Sequence, residues 1–413
     1  MFKRIEIKLH SRWIQLTLGV LCMMSISSPQ YVWALFTKPL GAQLGVSLTE
    51  LQVTFSILIV LQTFFSPFQG FLVELFGPRK LLSVGAVLTG LSWVLASKAD
   101  TVTQLYLSYG LLGGLGTGIV YVGVVGQVVK WFADKRGFAV GMVAAGYGMG
   151  AILTTFPISQ ALADHGHQDT LWWFGWALGA LGLVFAQGLR APEQMLHQET
   201  SDLPGVGPAV MLRTPVFWLL FVMMSMMSTS GLMVISQMGA IAKDYQVASA
   251  LVFGMAALPL ALTIDRLTNG LTRPFFGWVS DRWGRENTMF LAFGLEALAM
   301  LAWIATIDQP VLFVILSGVV FFGWGEIFSL FPSTLTDTFG ARHATTNYGC
   351  LYMAQGVGSI IGGPVAAMVH AQTGSWLPVF ALMIGLDLMA ASLALWVLKP
   401  MRKKLTFFSH TYP

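Results

Sequence analysis

Apolar residues run through this chain in long stretches separated by short polar connections. A helix needs about 20 mostly apolar residues to cross a bilayer. Twelve stretches qualify, near residues 13–37, 50–74, 81–99, 104–130, 137–161, 170–189, 215–240, 249–279, 287–306, 310–336, 346–370 and 376–398. They are called spans 1 to 12. Span 1 has no small-residue cleavage site and holds Gln30, Tyr31 and Trp33, so it reads as a retained helix and not a cleaved leader.

Orientation follows from Lys and Arg, which favour the cytoplasmic side. With the N-terminus inside, eighteen of the 23 basic residues fall in inner loops and tails. Three, Lys38, Lys98 and Lys243, fall outside, and Arg266 and Arg273 lie within span 8. Both termini are therefore expected in the cytoplasm, as an even span count requires. Composition agrees: of 413 residues, 55% are apolar and 10% charged, against roughly 25% charged in a soluble domain. That excludes an ordinary cytosolic enzyme, a disordered chain and a nucleic-acid-binding protein. Cys22 and Cys350 both sit in apolar runs, which supports neither a disulfide framework nor a metal site. No phosphate-binding loop, metal cluster or nucleophile triad is visible, so no enzyme activity and no cofactor are expected.

The chain also repeats itself. Residues 66–79 read SPFQGFLVELFGPR and residues 273–285 read RPFFGWVSDRWGR. Gly70, Glu74 and Gly77 match Gly277, Asp281 and Gly284 at an offset of 207, half the chain length. The division expected is an N-terminal six-helix bundle (1–190), a cytoplasmic linker (191–213) and a C-terminal six-helix bundle (214–413). The acids of the repeat, with Arg79 in one copy and Arg282 and Arg285 in the other, suit charge-assisted bonds that latch the cytoplasmic seam in one conformation. The pattern resembles the signature loop of the major facilitator superfamily, although the first copy has Glu74 for Asp, Leu75 for Arg and an inserted Pro78. That resemblance implies an all-α fold of two pseudo-symmetric bundles, with substrate bound near the midplane.

The repeat isolates residues that the scaffold does not need. Subtracting 207 places Arg273 on Ser66, Asn269 on Gln62, Arg266 on Ile59 and Asp265 on Leu58. A charge near the bilayer centre costs about 2.5 kcal/mol or more, so such residues are functional by default. Asp265, Asn269 and Arg273 share one helix face at i, i+4 and i+8, while Arg266 points about 100° away from Asp265. At a rise of ~1.5 Å per residue, Arg273 lies about 12 Å above Asp281, near mid-membrane. Gln355 in span 11 and Glu326 in span 10 reach similar depths, and Lys38 closes the outer mouth of span 1. A fixed arginine offers a planar fork that matches a carboxylate. Tyr31, Trp33, Tyr121, Trp324 and Tyr352 can supply aromatic walls and hydroxyls. Glu296 and Asp387 read as helix-bundle or lipid-edge residues. His165, His167 and His370 read as exposed loop histidines.

Several motifs together resemble the oxalate:formate antiporter family, a branch related to the monocarboxylate transporters. They include Gln30-Tyr31-x-Trp33-x-Leu35, Gly118-Ile119-Val120-Tyr121, Trp131-Phe132-x-Asp134-Lys135-Arg136-Gly137, Asn269-Gly270-x-x-Arg273-Pro274 and Asn347-Tyr348-Gly349. The resemblance implies carriage of small carboxylates by alternating access. In the family's oxalate exchanger, an arginine of span 8 and a lysine of span 11 grip the dianion. The arginine carries over onto Arg273, but the lysine position is Gln355. One ion pair at 4 Å is worth roughly 4 kcal/mol at an effective dielectric near 20. A monocarboxylate such as lactate, pyruvate, glycolate or formate therefore fits better than oxalate. The monocarboxylate branch also has a polar residue and an arginine four apart in span 8, matched by Asn269 and Arg273. It often has a lysine near the outer end of span 1, matched by Lys38 as an outer capture site.

The expected function is a monomeric inner-membrane carrier of a monocarboxylate coupled to a proton. Arg273 would bind the carboxylate, and Asn269, Gln355, Tyr121, Tyr31 and Trp324 would complete the site. Glu326 or Asp265 would carry the proton. The alternative is an antiporter of oxalate or another dicarboxylate with a monocarboxylate. A drug exporter and a transport-silent sensor rank behind both.

Overall fold

The computed structural model describes residues 11–192 and 205–404. Lys3, Arg4 and Lys8, counted above for orientation, and most of the linker lie outside the described residues. Eight helices are long and apolar enough to cross a membrane, or ten if each of two bent pairs is one span. Those pairs are Arg12–Tyr31 with Trp33–Leu44, bent by 43°, and Leu48–Phe64 with Ser66–Phe76, bent by 54°. They form spans 1 and 2. The 53-residue helix Arg136–Gly188 breaks at Gly166, whose φ of 78° and ψ of 175° are not helical, and so supplies both spans 5 and 6. Ala257–Trp283, 27 residues long, is span 8. Its internal charges lower its hydropathy without shortening it. The remaining spans are Pro78–Ala96, Val102–Trp131, Pro215–Asp244, Arg285–Ala305, Pro310–Phe339, Ala344–Thr373 and Leu377–Lys404. The described residues thus hold twelve crossing segments.

The breaks have local causes. In span 2, Pro67 has no amide hydrogen for the carbonyl of Thr63, and the hydroxyl of Ser66 donates to that carbonyl instead. Span 10 is interrupted between Pro310–Trp324 and Ile327–Phe339. There the carbonyl of Phe322, four residues before Glu326, accepts the hydroxyl of Thr272 from span 8. A side chain thereby replaces a ladder bond, as at other helix kinks. Span 8 starts later than the apolar run predicts. Leu251–Val252 pairs antiparallel with Met255–Ala256, and Phe253 (φ 50°) and Gly254 (φ 81°) make the turn. Two positive φ angles are the signature of a tight hairpin turn, which the uniformly apolar sequence around Phe253 conceals.

The chain forms two compact units that do not follow the sequence halves strictly. Unit 1 comprises the described residues of Met1–Ala133, Met142–Pro208 and Phe339–Met353. Unit 2 comprises those of Asp134–Gly141, Ala209–Thr338 and Ala354–Pro413. Each unit therefore includes the start of one helix, span 11 or span 5, borrowed from the other half of the sequence. The core of unit 1 gathers Trp33, Phe36, Trp93 and Tyr109, with the Tyr109 hydroxyl donating to the carbonyl of Pro29 at 2.7 Å. Trp33, predicted as a site wall, is part of this packing, its ring 4.7 Å from that of Tyr109.

Candidate functional site

In unit 2, Arg273 is the largest charged side chain that is wholly interior, with 2% of its surface exposed. Its Nη2 donates to Asn269 Oδ1 at 2.7 Å, so the helical spacing of four brings the two together as predicted. Its guanidinium carbon lies 4.5 Å from the ring centroid of Phe328, a cation–π contact that the sequence reading missed. Phe328 stands 207 residues after Tyr121, so the repeat places an aromatic ring at the same point in both halves. Asp265, one turn before Asn269, is buried and faces the hydroxyl of Ser317. Arg266 is exposed on another face of the helix, as its angular offset requires. Gly325 lies against Asn269 and Thr272, with no room for a side chain, so span 10 meets span 8 backbone to backbone.

Glu326 follows that glycine at the break in span 10 and is fully buried. Its carbonyl accepts Ser329, and its carboxyl lies within electrostatic range of Arg273. Gln355 is half-buried in span 11, and its Oε1 has no hydrogen-bond partner among the described residues. Trp324 is placed differently from the prediction. Its indole N–H donates to the carbonyl of Met227 at 2.8 Å, and its ring fills the space over Gly231. It pins span 10 to span 7, so packing consumes the polar edge that a ligand would use.

In unit 1, five of the nine tyrosines form one cluster. Tyr121 stacks on Tyr352 at 4.7 Å and meets Tyr147 edge-on at 5.0 Å. Tyr31 meets Tyr147 at 5.6 Å, and Tyr348 lies 5.6 Å from Tyr352. Gln62 donates to the hydroxyls of Tyr147 (3.0 Å) and Tyr352 (3.3 Å), and Tyr147 in turn donates to Gln30. Gln62 is the repeat counterpart of Asn269, so each half carries an amide at this position. Tyr147, Tyr348, Gln30 and Gln62 were not singled out as site residues. Their only signal was the repeat and the shared motifs. Lys38 is exposed on Trp33–Leu44, beyond the bend of span 1.

The repeated acids each cap a helix far away in sequence. Asp281 accepts the amides of Gly137 and Phe138, both at 2.8 Å, at the start of span 5. Glu74 accepts the amides of Thr345 (3.0 Å) and Thr346 (3.2 Å) and the Thr346 hydroxyl (2.7 Å), at the start of span 11. Helix N-termini expose unpaired amides and a positive dipole end, which suits a carboxylate. Gly277 touches the backbone of Gly137 with no space for a Cβ, and a Cβ on Gly70 would lie 2.6 Å from the carbonyl of Thr345. The glycines of the repeat therefore let the helices close on the acids. Around Asp281 the charges form a chain: Arg285 bonds Asp281 at 2.7 Å and Asp337 at 2.8 Å, and Arg136 bonds Asp337 at 2.8 Å. Around Glu74 the counterpart of Arg136 is His343, whose Nδ1 lies 3.4 Å from the carboxylate. Two predicted latch arginines act elsewhere. Arg79 donates to Gln187 at 2.9 Å, because Pro78 displaces it from the position that Arg285 occupies in the second copy, and Arg282 lies over the ring of Trp278 at 4.0 Å. Among the described residues, no three His, Cys, Asp or Glu side chains converge to hold a metal ion. Cys22 and Cys350 are buried free thiols.

A family model described as the Major Facilitator Superfamily matches residues 16–264 and 221–411. The chain belongs to the major facilitator superfamily. Within that superfamily it is 35% identical to an oxalate:formate antiporter of Oxalobacter formigenes, over 95% of this chain and 93% of that one. Its place is thus in the oxalate:formate antiporter family, as the motifs suggest. It is 28% identical to the uncharacterised MFS-type transporter YhjX of Escherichia coli (strain K12), over 85% of this chain and 86% of the relative. It is also 26% identical to monocarboxylate transporter 13 of Bos taurus, over 82% and 77% of the two chains. A solved proton:xylose symporter shares the fold, with a TM-score of 0.69 over 94% of this chain and 96% of the other at 13% identity. Each of these four proteins carries the name of a transporter. The superfamily's duplicated plan explains why the two acid–glycine loops and the helix starts they cap recur at one offset.

Proposed function

We propose that this facilitator carries small monocarboxylate anions with a proton across the inner membrane by alternating access, with both termini in the cytoplasm. The observation that carries the reading is a buried Arg273 that shares its environment with a neutral amide, Asn269, and a buried carboxyl, Glu326. The guanidinium binds the carboxylate, and Asn269 holds its plane. Gln355, Tyr121 and Tyr31 are the candidates for bonding the hydroxyl or carbonyl tail of the substrate, and Lys38 is the candidate for first capture. The names of the relatives, an oxalate:formate antiporter and a monocarboxylate transporter, support this substrate class.

Coupling follows from charge. Burial disfavours an ionised carboxyl unless a cation stands nearby. When a carboxylate neutralises Arg273, Glu326 takes up a proton, and anion and proton cross together. Asp265 is the other acid on the same helix face and serves as the comparison.

The test is uptake into proteoliposomes. Arg273→Lys replaces a two-bond fork by a point charge, losing one charge-assisted bond worth roughly 1.5–3 kcal/mol, and apparent affinity for L-lactate should fall about 10- to 150-fold. Full transport by this variant would remove Arg273 from the site. The second reading, exchange of oxalate for formate, is favoured by the identity to the antiporter. Two measurements decide between them: oxalate outcompeting glycolate for labelled L-lactate uptake, together with oxalate uptake that requires formate inside the vesicle, establishes the exchanger.

A further inference from the structure

Three membrane-buried acids lie together inside unit 2. Glu296 in span 9, Glu326 at the break of span 10 and Asp387 in span 12 have no exposed surface. Glu296 lies within electrostatic range of both others, and Glu326 within range of Asp387 and Arg273. Span 9 reaches span 10 at a glycine: a Cβ on Gly323 would sit 2.7 Å from that of Glu296, one turn before Glu326. None of the six carboxyl oxygens has a hydrogen-bond partner among the described residues. Glu296 and Asp387 read from the sequence as helix-bundle or lipid-edge residues. The structure turns both inward.

A second polar group points at the same place. Ser230 of span 7 is fully buried, its hydroxyl has no hydrogen-bond partner among the described residues, and it faces Asp387. At the repeat offset of 207 the four positions are Thr89, Ile119, Ala180 and Met23. One half therefore builds the same bundle with no charge at any of them, so these groups are not a requirement of the fold.

Three carboxylates cannot all stay ionised in a dry interior with one guanidinium in range. A metal ion is not the answer, because the three do not converge as a metal-binding group. Protons remain. Among the described residues, the polar and charged groups that interact with the cluster are Ser230 from span 7 and Arg273 from span 8, beside the three acids from spans 9, 10 and 12.

We propose that Glu296 and Asp387 form a proton store that loads Glu326. This rests on the reading of the chain as a proton-coupled carrier. When a carboxylate neutralises Arg273, an O–H bond of Glu296 or Asp387 breaks and an O–H bond forms on Glu326. The carboxylate left behind accepts the hydroxyl of Ser230 if it is Asp387, and a proton from solvent refills the store. Glu326 is the link between store and substrate, since it sits at the break of span 10 between Gly325, which packs against Asn269 and Thr272, and Phe328, whose ring lies under Arg273.

The full chain is reconstituted in proteoliposomes, with L-lactate as the probe. In Glu296→Gln/Asp387→Asn, uptake driven by a proton gradient should fall at least tenfold, while lactate–lactate exchange, which moves no net proton, should fall less than threefold. Infrared difference spectra should show protonated-carboxyl bands in the parent at neutral pH that shrink in each single variant and further in the double. Glu296→Asp and Asp387→Glu keep the acids and should keep the bands, which separates lost protons from lost packing. Driven uptake and bands within twofold of the parent in the double variant overturn the store, as does a parent without protonated-carboxyl bands. A parent that exchanges no C1–C4 carboxylate overturns the substrate reading instead, and the infrared arm still decides whether the store exists.

Discussion

Asp281→Ala should open the start of span 5. In the parent, Asp281 holds the amides of Gly137 and Phe138 and the guanidinium of Arg285, with only 6% of its side chain exposed. Two charge-assisted bonds at this depth are worth roughly 1.5–3 kcal/mol each. Removing one partner of a buried ion pair costs about 3–5 kcal/mol in general. Here the cost is smaller, because Arg285 keeps Asp337 at 2.8 Å. A net loss of about 3 kcal/mol is the reasonable figure, and at 1.4 kcal/mol per decade it accelerates local opening about 100-fold. Hydrogen–deuterium exchange reads that opening directly.

The peptide containing Gly137 and Phe138 should exchange about 100-fold faster in Asp281→Ala. The peptide containing Thr345 and Thr346 should stay near the parent rate, because Glu74 caps it. Glu74→Ala should reverse the pattern. Asp281→Asn, which keeps one acceptor oxygen, should fall between parent and alanine. An acceleration below threefold at Gly137 and Phe138, or equal acceleration of both peptides in either variant, would refute the idea that each acid caps its own helix.

Gly277→Ala should prevent assembly, because the new Cβ would overlap the backbone of Gly137. Size-exclusion chromatography should show aggregate, whereas Gly294→Ala, with nothing within 4 Å of its Cβ, should be neutral or stabilising by up to about 1 kcal/mol. Phe328→Leu removes the ring beneath Arg273, a contact worth about 0.5–2 kcal/mol. The concentration dependence of lactate exchange should shift about 2- to 30-fold toward weaker binding, and Phe328→Tyr should restore it.

Legibility in the sequence followed the range of the interactions. Apolar runs and the offset of 207 disclose the spans and their duplication, because both are local or periodic signals. The pairing of Asn269 with Arg273 was legible for the same reason: four residues on one helix are neighbours. The partners of Asp281 and Glu74 were not, since they lie 144 and 271 residues away and are backbone amides, which carry no sequence identity. Aromatic residues failed in both directions. Trp324 looked like a site wall and is a packing pin, while Phe328, which no motif or spacing marked, lies under Arg273. An aromatic ring in an apolar run carries no mark of what it faces. Charge is different, because a buried charge must be answered by something. Subtracting one half from the other is therefore a stronger instrument for acids than for rings. Applied to Asp265 and Arg273 it selected a site, and applied to Glu296 and Asp387 it selects two more acids, first read as helix-bundle or lipid-edge residues, beside Glu326. All five are buried in unit 2, whereas the tyrosine hydroxyls and Gln62 gather in unit 1. The charged and neutral groups are thus divided unequally between the two units: unit 2 holds the buried acids and Arg273, and unit 1 holds the tyrosine cluster with Gln62, to which both halves of the sequence contribute.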